Sequence, residues 1–70
     1  MKGWIEVHEI DMKTGEAVRK RAFQVSQVCW VSSDKHRPGR GAIQANGSEA
    51  YVTYTIESYE QLRKLIEAAQ

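Results

Sequence analysis

Apolar side chains fall along this chain in a run of short alternating stretches that ends in a helical one. From Gly3 to Ile10, Ile5 and Val7 share one face and Glu6 and His8 the other, the period-two pattern of a strand. Trp4 and Ile10 fall with the polar set, so that face is partly covered too. Asp11 to Glu16 is a turn, with Asp11 opening it and Gly15 supplying a left-handed position. Ala17 to Val25 predicts a second strand with Phe23 and Val25 on one face. Arg19-Lys20-Arg21 puts cations on both its faces, which marks an edge. Gln24 to Gln27 is polar enough to hold a bend or bulge. Val28 to Val31 is nearly continuous in apolar residues and reads as a central strand. Ser32 to Gly41, with the chain's one proline, reads as a mobile hairpin tip.

The strongest local signals lie between Ile43 and Ala69. Asn46-Gly47 separates Ala42–Ala45 from a strand over Ser48–Ile56, and predicts a type I′ turn, which needs positive φ at both central residues. Ser58-x-x-Gln61 is a capping box, each side chain satisfying a backbone N–H at a helix start. Beyond it, Tyr59, Leu62, Leu65, Ile66 and Ala69 share one face, while Glu60, Arg63, Lys64 and Glu67 point to water. A helix of about a dozen residues is marginal alone, so its apolar stripe must lie on the sheet. The fold class is therefore mainly β (α+β). The expected form is a small curved antiparallel sheet, or partly open barrel, of about five strands with one C-terminal helix plugging it. It is a single domain, residues 1–70, without repeats or linkers.

Size changes the picture in one respect. A chain of 70 residues buries only about 60% of its unfolded surface, so a homodimer or higher oligomer is the expected source of further burial. Cys29 is the single cysteine, which excludes an internal disulfide; within Val28-Cys29-Trp30-Val31 it reads as a buried thiol in a reducing compartment. The net charge of +1 argues against a strong global field for nucleic acid. No apolar run is long enough to cross a bilayer and no signal-peptide pattern opens the chain, so a soluble, cytoplasmic protein is expected.

The N-terminal strand and polar turn, followed by Phe23-x-Val25-x-x-Val28-x-x-Val31, resemble the small FlbD-like flagellar (swarming-motility) proteins and similar short phage and prophage proteins. The ending resembles them too, through Asn46-Gly47, a strand, and Glu57-Ser58-Tyr59-Glu60-Gln61-Leu62-x-x-Leu65-Ile66. The chain departs from their pattern in its longer basic loop, Lys35–Gly41, and in Thr55-Ile56, where they tend to a basic residue. The resemblance implies a shared fold and size and a phage or bacterial setting. Proteins of this kind there serve as host-takeover or anti-defence factors or as accessory interaction modules.

Candidate chemistry concentrates in the loop. Lys35, His36, Arg37 and Arg40 beside two glycines can present guanidinium and backbone N–H groups to phosphate or to an acidic protein. Trp30, Tyr51 or Tyr54 can stack a base, and Arg19 and Arg21 can extend the basic surface. The bland reading is a solvated tip with edge-protecting cations. For Trp4 and Trp30 the default is core packing; an exposed Trp4 becomes an interface anchor, as would Tyr51 or Tyr54. No catalytic constellation can be assembled: Cys29 lies in an apolar strand, and Glu6, Glu9, Glu57 and Glu60 are explained by strand exposure and helix charge. His8, His36 and Cys29 lack metal-ligand spacing, and no cofactor loop is present. The expectation is a non-enzymatic protein-binding module, in its concrete form a phage-encoded inhibitor of a host defence complex of the anti-CRISPR type. The alternatives are a nucleotide or nucleic-acid binder using the 35–41 loop, and a flagellar accessory protein.

Overall fold

The computed structural model describes residues 2–46 and 52–70. In chain order these form β1 (Trp4–Ile10), β2 (Ala17–Gln24), a 3-10 turn (Val25–Gln27), β3 (Val28–Ser33), β4 (Gly41–Ala45), β5 (Thr53–Thr55) and α1 (Tyr59–Ala69). The strands make one open antiparallel sheet in the order β2-β1-β5-β4-β3. β2 and β3 thus occupy opposite edges, yet three residues join them. In a flat sheet those edges would stand about 19 Å apart, four strand spacings, whereas the steps from Gln24 to Val28 span at most about 14 Å. The sheet must curl, and the curl makes the concave face that holds the core.

That face carries Ile5, Val7, Phe23 and Ile43, and α1 lays Leu62 and Ala69 into it, with Leu65 and Ile66 packed at its margin. The helix starts as its sequence demands. Ser58 Oγ accepts from the Gln61 N–H at 3.2 Å, and Gln61 Oε1 accepts from the Ser58 N–H at 2.9 Å. Its other end is tied down where the Gly3 N–H donates to the Ala69 carbonyl at 2.7 Å.

Several expectations are corrected. β3 is an edge strand rather than a central one, because an uncharged run packs as readily at a rim beside a helix as in mid-sheet. Cys29 is accordingly exposed, its thiol donating to Asn46 Oδ1 at 3.2 Å. Trp4 and Trp30 both lie outside the core, 41% and 40% exposed. Asn46 has no positive φ and so does not open a type I′ turn. The pairing Ile43↔Thr53 lies three positions beyond the partner that a two-residue turn would assign to Ile43. Gly47 to Tyr51 lie outside the described residues, and with them the rest of that turn, the early part of the Ser48–Ile56 strand and the Tyr51 interface assignment.

Candidate binding surface

The basic loop is held by its one acid. Asp34 is a buried side chain between β3 and the loop; its Oδ1 accepts from the His36 N–H at 2.9 Å, and its own N–H donates to the Arg40 carbonyl at 3.0 Å. Pro38 and Gly39 then make a tight turn closed by the Arg40 N–H on the Arg37 carbonyl at 3.1 Å, with Gly39 at φ +79. Proline first and positive-φ glycine second is the type II arrangement.

Arg37 is the brace of this loop. Its guanidinium donates to Asp34 Oδ2 at 3.0 Å and to the Met12 carbonyl, and covers the Tyr54 ring at 5.9 Å from the centroid. It thereby fastens the β3–β4 tip to the β1–β2 turn. That turn is built by Asp11, whose Oδ1 accepts from the Lys13 N–H at 2.7 Å, with Gly15 at φ +75. Arg37 is therefore not a cation waiting for phosphate, as a count of loop charges implies. Burial pushes the Asp34 carboxyl up, but the His36 N–H and the hydrogen bond and charge of Arg37 outweigh it and hold the group below the ordinary aspartate value.

A carboxyl depressed in the fold adds stability that is fully present above its unfolded value and lost as pH falls through the lower folded one. Asp34→Asn should therefore lower stability at pH 7 by about 1–3 kcal/mol, the worth of a hydrogen bond to a charged group. It should also flatten the loss of stability below about pH 4. Urea midpoints measured across pH 2–7 check this; parallel profiles for the two proteins would remove Asp34 from the acid response.

Arg19 and Arg21 do not join the loop. β1 and β2 pair Val7 with Arg21 and Glu9 with Arg19, which turns both arginines to the core side of the sheet. There Arg19 Nε and Arg21 Nη1 lie 2.7 and 3.2 Å from the same Glu9 oxygen, and Arg21 covers the Phe23 ring. The Arg19 hydrogen bond, opposed by burial and reinforced by Arg21, holds the Glu9 carboxyl below its ordinary value.

What the fold does bring together is Lys13, His36, Arg37 and Arg40 around a cleft between the two hairpin tips. A second cleft, of about 260 Å³, opens on the outer face of β3, β4 and β5. Trp30 and Tyr54 line it with Ala42 between them in the sheet, and Lys35 and His36 stand at its rim. His36 belongs to both clefts. Among the described residues, the side chains of Lys13, Lys35 and Arg40 make no ion pair. Lys13 was not legible as a site residue, because nothing local to it announces that its turn meets residue 37. Trp4 lies elsewhere, at the start of β1 beside α1.

The described residues contain no cluster of His, Cys, Asp or Glu able to hold a metal, and no helix long and apolar enough to cross a membrane. Fold and site together define a small mainly β domain, one open five-stranded antiparallel sheet with a C-terminal helix, carrying an aromatic and basic surface at one end. No family model, curated protein or solved structure matches this chain.

Proposed function

We propose that this protein is a non-enzymatic binding module that holds a nucleotide, free or as an unstacked unit of a single strand, on the outer face of β3, β4 and β5. The observation that carries the reading is the cleft where Trp30 and Tyr54 flank Ala42 beneath Lys35 and His36. A base gains about 1–3 kcal/mol by stacking on an aromatic ring, and the Lys35 ammonium at the rim suits its phosphate. Asp34, the carboxylate in the lining, is engaged by Arg37 and opposes an anion little. The cleft is small and the chain's net charge is +1, which favours one nucleotide over a long phosphate track.

Titrating ribonucleoside monophosphates and a short oligouridine into a Trp4→Phe background, and following Trp30 fluorescence at low and high salt, tests this. Quenching should saturate. Trp30→Ala should weaken binding at least ~5-fold, read by calorimetry, and Lys35→Gln should lessen its salt dependence. No binding by any of these probes would sink the reading.

A partner protein is the second reading, in its concrete form the inhibitor of a host defence complex. Exposed tryptophan at Trp4 supports a protein partner, since tryptophan is enriched among the residues that carry interface binding energy.

A further inference from the structure

β1 is covered unequally on its two sides. β2 pairs with it from Trp4 to Ile10, whereas among the described residues β5 meets it at Glu9↔Thr55 alone. On that second side His8 is still satisfied: its N–H donates to Glu57 Oε1 at 2.9 Å, and its carbonyl accepts from the Ile56 N–H at 2.9 Å. Backbone groups of alternate residues in a strand point the same way. The N–H and C=O of Glu6, two residues before His8, therefore face the same side, where no strand follows. The neighbour there is α1, whose mid-helix backbone groups are bonded within the helix and whose Ala69 carbonyl is taken by the Gly3 N–H.

Two clefts run along this seam, of about 330 and 370 Å³, and they share Glu6, Leu65 and Ala68, which makes them one groove. Trp4 walls one end. The groove is bounded by the His8–Glu57 contact at one end and by the Gly3–Ala69 hydrogen bond at the other.

We infer that this groove takes an extended peptide segment of a partner protein, which adds a short strand to β1 at Glu6 and seats one bulky apolar side chain against Trp4, Leu65 and Ala68. Unmet strand backbone selects an extended chain over a helix or a compact small molecule. From Trp4 to His8 the edge runs about 13 Å, room for roughly four residues. Lys20 and Lys64 balance Glu6 and Glu57 along the rim, so the segment need carry no particular charge. The site is separate from the Trp30–Tyr54 cleft, and either stands without the other.

The test is selection from a random short-peptide display library, with Ala68→Arg as the counter-target. Ala68 is exposed on the helix, so the variant should melt with the wild type. Selected peptides should alternate apolar and polar residues, lose at least ~10-fold in affinity towards Ala68→Arg and on N-methylation of their backbone, and slow hydrogen exchange at the Glu6 amide on binding. Failure to enrich any peptide, binding indifferent to Ala68→Arg, or a Glu6 amide already protected in the free protein would each overturn the inference. Concentration-dependent self-association abolished by Ala68→Arg would overturn it as well, by making the occupant a second copy of this chain.

Discussion

Replacing Leu62 with alanine should strongly lower the melting temperature of the protein. Leu62 is fully buried, and it is the residue through which α1 reaches the concave face lined by Ile43, Val7 and Phe23. Truncating a buried leucine costs about 2–5 kcal/mol, more where the surroundings cannot collapse into the void. Here one wall is β4 backbone at Gly41 and another is the sheet itself, and neither can move in without breaking pairing. A domain of this size has about 4–10 kcal/mol of stability in all. Its melting temperature shifts about 4–8 °C per kcal/mol, so a fall of about 10–40 °C is expected in a circular-dichroism melt. A shift of a few degrees would mean that α1 contributes little, and that the sheet is stable without its plug.

The second large effect comes from adding an atom. A Cβ at Gly41 would stand 2.7 Å from the Glu57 carbonyl oxygen, 2.8 Å from Leu62 Cδ1 and 3.1 Å from the Ser58 carbonyl carbon. Two of these are backbone at the helix start, and the Glu57 carbonyl also accepts from the Thr55 hydroxyl at 2.8 Å. Neither can give way without loosening the cap, so Gly41→Ala should cost about 1–3 kcal/mol or more as an overpacked site. Gly39→Ala is the contrast. It meets nothing within 4 Å, and its cost is the roughly 1 kcal/mol of a left-handed backbone. Urea midpoints should therefore rank wild type above Gly39→Ala above Gly41→Ala. The reverse order would unseat the helix from β4.

These two residues divide what was legible from what was not. Leu62 stands in a stripe of period 3.6 behind a capping box, so its burial followed from neighbours within a turn or two. Gly41 had no local signal: its need for a missing Cβ arises because residues 57, 58 and 62 return to it across the sheet. The candidate surface divides in the same way. Loop charges were visible as a run, and Trp30 and Tyr54 as residues able to stack. That Arg37 braces two hairpin tips, that Arg19 and Arg21 hold Glu9, and that Lys13 comes to the loop depend on pairings between distant segments.

The amino-acid sequence by itself determined the strands β1 and β2, the Asp11–Gly15 turn, the edge character of β2, the capping box and the buried face of α1. Each rests on propensity, capping or alternation acting over a few residues. Tertiary structure alone decided the strand order, the rim position of β3, the exposure of Cys29 and both tryptophans, the β4–β5 register and the groove beside Glu6. A short apolar run such as Val28–Val31 satisfies the same local rules at a rim or in mid-sheet. The choice is made by which distant surfaces it buries: here a three-residue link to β2 forced the sheet to curl, and a single helix filled the gap that β5 is too short to close.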